Sequence, residues 1–295
     1  MSKKHFSIQV EGQALYGSLH LPEKPLLRQK EFIVFLHGWA GYRTGPHGMF
    51  VSYAQALCAL GYHALMFDFR GRGYSQGEAT DTTMQSMMSD LEAVMQMIDE
   101  AYEPDKITFI GICSGAKLAL YYAKSGQRSI HQIVELSSPT LWAGNEAEIE
   151  RKRTKSLVNT YVRKALEANT WKKMIHGKVN FRKITGMIFH SARKGMSVVK
   201  DRAGAKRVPE KRARAFERFA GNILMIHGEK DPETESATGQ ITAFLKKHEV
   251  DHELKIIKGA NHSFYGITWK EQIYQAIAHF LNQHQLKASR SLINQ

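Results

Sequence analysis

Lys106-Ile107-Thr108-Phe109-Ile110-Gly111-Ile112-Cys113-Ser114-Gly115-Ala116 is the stretch on which the reading of this chain turns. Lys106–Ile110 is a short apolar run rich in β-branched residues, which suits a strand buried on both faces of a parallel sheet. Gly115–Ala123 reads as a helix. The turn between them has the form G-x-C-x-G, with Gly111, Cys113 and Gly115 at the fixed positions. A sharp strand-to-helix turn of this spacing projects its central side chain as a nucleophile, and it needs small flanking residues because strand and helix pass close together. Cys113 would stand at a helix N-terminus, where the dipole favours thiolate over thiol. A register centred on Ser114 places Ile112 and Ala116 at the flanks, with a β-branched side chain where a small one is required.

Such a nucleophile needs an acid and then a histidine further along the chain. Strand Ile223–Ile226 leads into His227-Gly228-Glu229-Lys230-Asp231-Pro232, and strand Glu253–Ile257 leads into Gly259-Ala260-Asn261-His262-Ser263-Phe264. Asp231 and His262 thus fall in loops after successive strands. The expected roles follow: His262 deprotonates Cys113, and Asp231 fixes the His262 tautomer and stabilises the imidazolium. Glu135, near the end of strand Ile130–Leu136, is the second candidate for the acid. An oxyanion hole needs two backbone N–H donors; Ser114, just after the nucleophile, and Trp39, in His37-Gly38-Trp39-Ala40-Gly41, are expected to supply them. Arg43 and His47 are candidates to face the substrate. Asp68 and Ser75 read as loop-shaping groups, and His37 and Asp90 as structural. Metal-ligand spacing, a Walker loop and a dinucleotide fingerprint are absent from the sequence, so no metal or cofactor is expected.

Working outward, strand and helix signals alternate. Phe6–Val10 and Ala14–Leu21 flank the turn Glu11-Gly12, and Phe32–Leu36 is a third strand. Helix Met49–Leu60, strand His63–Phe69 and the Met-rich helix Met84–Ile98 follow. Beyond residue 220, helices Ser236–Lys247 and Trp269–Leu281 complete the pattern, and the polar tail Lys287–Gln295 is expected to fray. The order implies an α/β fold: a mainly parallel sheet with helices on both faces and an antiparallel hairpin at one edge. The chain has 295 residues, 43% hydrophobic and 23% charged, within the globular range. Its two cysteines exclude a disulfide framework; Cys58 reads as a packing residue. The sequence carries no secretory leader or membrane-spanning run, so the expected location is the cytoplasm, either free or peripheral to a membrane.

The net charge of +13 is unevenly placed. Between Pro139 and Ala220 stand 21 Lys and Arg against 7 Asp and Glu, whereas the rest of the chain has 20 against 21. This divides the chain into a core of residues 1–138 and 221–295 and a basic helical lid of residues 139–220. The inserted segment holds too little apolar material for a core of its own. Its charge points to an anionic partner: an acidic acyl-thioester or other small substrate, an acyl carrier protein, or an anionic membrane surface. Nucleic acid is disfavoured because no recognition motif is present.

With these residues assembled, the chain resembles the α/β-hydrolase superfamily in His37-Gly38, Asp68-x-Arg70-Gly71-x-Gly73-x-Ser75-x-Gly77, the Cys113 turn, His227-Gly228-x-x-Asp231 and Asn261-His262. It is similar in finer detail to hydrolases associated with bacterial exosortase systems. The likeness there lies in Gly41-Tyr42-Arg43-x-Gly45-x-His47, the G-x-C-x-G-A turn, and Trp171-Lys172-Lys173-x-x-x-Gly177-x-Val179-Asn180. The cysteine at the turn also looks like that of dienelactone hydrolase, from whose compact pattern the basic insertion departs. The resemblance implies acyl transfer from an ester or thioester to water, or to an alcohol or amine. A binding protein that has kept the fold is the reading from another class.

Overall fold

The computed structural model describes residues 1–23, 30–80, 82–139 and 219–293, with side chains through residue 283. Among these residues the strands are β1 (Ser2–Val10), β2 (Gln13–Leu21), β3 (Glu31–Leu36), β4 (His63–Phe67), β5 (Lys106–Ile112), β6 (Gln132–Leu136), β7 (Asn222–Gly228) and β8 (His252–Ile257). They form one sheet in the order β1-β2-β4-β3-β5-β6-β7-β8. The hairpin β1–β2 and the β2–β4 pair are antiparallel, and every other pairing is parallel. The hairpin turns at Glu11 and Gly12, both with positive φ (51° and 79°), the geometry whose twist matches that of the paired strands.

The helices are α1 (Met49–Ala59), α2 (Met84–Tyr102), α3 (Ser114–Ser125), α4 (Thr234–Lys247) and α5 (Ile267–Ile293). Side chains alternate across each strand, and the core divides accordingly. Ile33, Phe35, Ile110, Leu224 and Ile226 meet Met49 and Leu57 of α1 and Ile273 and Phe280 of α5. Val34, Phe109, Ile133 and Met225 meet α2, α3 and α4 through Leu91, Leu118 and Ile241. Truncating a fully buried ring such as Phe109 would cost about 3–5 kcal/mol. The α2 methionines Met87 and Met95 are core residues, and Cys58 is buried in α1. Thr83 caps α2, its hydroxyl accepting from the Ser86 amide while the Ser86 hydroxyl accepts from the Thr83 amide.

Several boundaries differ from expectation, β1 beginning at Ser2 and α2 running on to Tyr102 among them. Strand β4 stops at Phe67 because Asp68 and Phe69 turn into the loop: the Asp68 amide bonds Tyr16 and the Phe69 amide bonds the His37 ring. The backbone of α5 stays helical to Ile293, through most of the tail expected to fray. The segment read as a basic lid falls, at residues 140–218, outside the described residues. Among the described residues, no helix is long and apolar enough to cross a membrane.

Candidate active site

The parallel strands deliver their C-terminal ends to one side of the sheet. Cys113 follows β5 there with φ 54° and ψ −124°, in the cap position of α3. A non-glycine residue with positive φ stores strain that surrounding structure must hold. Its amide is held by the Leu136 carbonyl at 2.9 Å, and its own carbonyl accepts from the Ala116 amide at 3.0 Å. The flanking glycines are obligatory. A Cβ on Gly115 would lie 2.1 Å from the Leu36 carbonyl oxygen, and one on Gly111 would lie 2.6 Å from the Ala116 nitrogen. The turn is therefore centred on Cys113, and Ser114 is the first residue of α3.

Asp231 lies beyond β7 and His262 beyond β8. His262 Nδ1 is 2.7 Å from Asp231 Oδ2, and the other carboxylate oxygen accepts from the Glu233 amide at 3.1 Å. The Cys113 thiol also hydrogen bonds to the His262 side chain. Burial works against a charge on His262, but the bonds and charges of Asp231 and Cys113 outweigh it and push its pKa up to about 10. Burial likewise pushes the Asp231 carboxyl up, and the His262 bond and charge, with the Glu233 amide and His227, hold it below the usual carboxylate range. Acid, imidazole and thiol thus form one hydrogen-bonded line. The carboxylate on His262 is Asp231's. Glu135 is a β6 residue within the sheet, in register with Gly111 on β5 and Met225 on β7.

Trp39 and Ser114 come together directly: the Trp39 amide donates to Ser114 Oγ at 2.5 Å. The Trp39 indole N–H donates to the Thr82 carbonyl, and the Arg72 guanidinium sits 5.3 Å from its ring centroid. Gly38 keeps this approach open, since a Cβ there would stand 3.2 Å from Cys113 Cβ. His37 is buried, its Nε2 accepting from the Phe69 amide and its Nδ1 bonded to the Gly38 carbonyl at 2.8 Å. Burial pulls its pKa down to about 4, leaving the neutral ring with its proton on Nδ1.

Arg43 and His47 have partners inside the protein. The Arg43 guanidinium meets buried Asp68 at 2.6 Å and stands 5.1 Å from the Tyr74 ring centroid. Asp68 also accepts from the Arg43 and Tyr74 amides, and the Ser75 hydroxyl donates to its carbonyl. Both are therefore the loop-shaping groups that the sequence suggested. The His47 ring packs edge-on against Tyr265 at 4.3 Å. Arg70 pairs with buried Asp90 and with Glu11, tying the loop after β4 to α2 and to the hairpin. The hydroxyl of Ser114 on the Trp39 amide is the contact that sequence reasoning missed; a hydroxyl adjacent to Cys113 was its only signal.

The family model Hydrolase_4, described as "Serine aminopeptidase, S33", matches residues 28–266. The chain belongs to this family. It is a hydrolase with the α/β-hydrolase fold, and it carries Cys113 at the centre of the turn. A stretch of 97 residues is 34% identical to the lysophosphatidylserine lipase ABHD12 of Danio rerio, covering 33% of this chain and 24% of that protein. The match thus spans about a quarter of that curated relative's length. Among solved structures, an esterase of Pyrococcus furiosus aligns with a TM-score of 0.65 at 19% identity, covering 96% of this chain and 91% of its own. Est1E of Butyrivibrio proteoclasticus, solved with ferulic acid bound, aligns with a TM-score of 0.62 at 18% identity, covering 94% and 98%. At these identities the two structures establish the fold.

Proposed function

We propose that this chain hydrolyses a carboxylic ester or thioester through a Cys113–His262–Asp231 triad and an acyl-enzyme. The observation that carries the reading is the line Asp231–His262–Cys113, ending on a thiol held at positive φ at the start of α3. Cys113 Sγ attacks the carbonyl carbon, and the carbonyl π pair moves onto oxygen. The tetrahedral intermediate collapses, and the leaving group departs with a proton from His262 Nε2. Water, deprotonated by the same nitrogen, then attacks the thioester and releases the acid, returning the proton to the Cys113–His262 pair. Asp231 holds the imidazole with Nε2 toward the sulfur and stabilises its charged form throughout.

The substrate class we infer is an anionic acyl ester or thioester. The +14 balance of residues 139–220 supports it, as does the substrate for which the lipase relative is named, lysophosphatidylserine. An acyl carrier protein or an anionic membrane surface would present such a substrate to the same charge.

Incubation with an activated ester, followed by intact mass and peptide mapping, tests the chemistry. An acyl adduct on Cys113, absent in Cys113→Ala together with turnover, is expected. Full turnover in Cys113→Ala would overturn the reading. For the substrate class, raising salt to about 0.5 M should depress kcat/KM for an anionic ester and spare a neutral one of the same acyl chain. Equal salt responses would remove the anionic assignment.

A further inference from the structure

We propose that the Ser114 hydroxyl is itself an oxyanion donor, and that the Trp39 amide acts through it. The inference rests on Cys113 as the nucleophile. Two amides, those of Trp39 and Ser114, would ordinarily be expected to point at the substrate oxygen. Here the Trp39 amide is already engaged, donating to Ser114 Oγ at 2.5 Å. It cannot readily turn away, because its residue is anchored on the other side: the indole N–H is bound to the Thr82 carbonyl and Arg72 lies against the ring. The turn carrying it is closed by the Gly41 amide on the Gly38 carbonyl at 2.8 Å.

A serine hydroxyl has one proton and two lone pairs. The Trp39 amide takes a lone pair and leaves the proton. Among the described residues, no group accepts that proton. Ser114 directly follows the nucleophile, and its hydroxyl stands beside the Cys113 turn and Gly38. A hydroxyl that accepts a bond from a fixed amide becomes a better donor, because successive hydrogen bonds polarise one another. The carbonyl oxygen would then receive the amide N–H and the O–H of a single residue. As Cys113 Sγ bonds to the carbonyl carbon, the π pair goes to this oxygen, which accepts both hydrogen bonds and takes no proton. The pair returns to carbon when the leaving group departs with the His262 proton.

Steady-state kinetics on one activated ester test this, with Ser114→Ala beside Ser114→Thr. Alanine removes the donor and should lower kcat about 10- to 100-fold with little change in KM. Threonine keeps the hydroxyl and should recover most of that loss. Alkylation of Cys113 by iodoacetamide, which forms no oxyanion, should proceed at the wild-type rate in Ser114→Ala and so report an intact fold and thiol. If Ser114→Ala matches or exceeds wild type, the substrate oxygen takes the Trp39 amide directly and the proposal falls. Equal losses in both variants would also overturn it, marking a packing effect. Normal turnover in Cys113→Ala would instead defeat the nucleophile assignment, whatever Ser114 does.

Discussion

Two carboxyl groups sit at the C-terminal ends of neighbouring parallel strands, and their states are opposite. Glu135 belongs to β6 itself. It is fully buried, and burial pushes its pKa up to about 8, with the Ser138 side chain acting the other way. Asp231 lies three residues beyond β7. It is nearly as buried, yet its carboxyl is held below the ordinary range by His262, the Glu233 amide and His227. The difference lies in position along the strand. Inside the strand, backbone groups are committed to the ladder and the side chain enters an apolar layer, so a carboxyl stays protonated at neutral pH. Past the strand end, turning backbone exposes amides, and the next loop brings a base within reach. Location relative to the strand end, more than burial, separates the carboxyl held ionised beside His262 from the one held neutral.

Activity should show the widest gap. Asp231→Asn should lower kcat/KM about 10³- to 10⁴-fold, while Glu135→Gln should stay within about threefold; the reverse order would transfer the acid role to Glu135. Alkylation of Cys113 at pH 7 should sharpen the contrast without substrate. Asp231→Asn should slow iodoacetamide about tenfold, since the imidazolium that favours the thiolate loses its support, and Glu135→Gln should leave the rate near wild type. Thermal melts should separate the two by pH. Glu135 has a raised native pKa, so its contribution is fully present below its ordinary 4.5 and is lost as pH rises through about 8. Glu135→Gln should therefore gain roughly 2–6 °C on wild type at pH 9 relative to the gap at pH 5. Asp231, with a lowered pKa, contributes above its ordinary 3.8 and loses that contribution as pH falls. The smallest effect should come from His227, beside Asp231, whose pKa burial pulls down to about 4. Its neutral form is favoured, so its contribution is present above 6.5 and lost as pH falls toward 4. The Tm of His227→Gln relative to wild type should rise by about 1–3 °C between pH 8 and pH 5; no such rise would mean that His227 is not forced to charge on acidification.

The strands and their order of use were readable because apolar runs alternate with helical spacing, and because Gly111 and Gly115 can be nothing larger. Asp231 and His262 were readable because loops after successive parallel strands must emerge on the same side. Arg43 and His47 were readable only as residues in a promising loop. Their partners, Asp68 and Tyr265, lie 25 and more residues away, and pairing between loops leaves no periodic trace. The bond from Trp39 to Ser114 spans 75 residues of sequence, and nothing local to either residue announces it. Charge was legible as a quantity in residues 139–220, but charge alone does not say what it faces.

The direct pairing of β6 with β7, in register from Gln132 with Asn222 to Leu136 with Ile226, bears on how such a protein can change its trade. Residues 140–218 enter the sequence between two strands that are already bonded to each other. Lengthening or exchanging that stretch leaves the ladder on either side untouched, and each doubling of a connecting segment adds only about 0.6 kcal/mol of closure entropy. Cys113, Asp231 and His262 all lie outside it. Descent can therefore swap the inserted passage wholesale, as a tool is changed on a fixed handle, without disturbing the sheet.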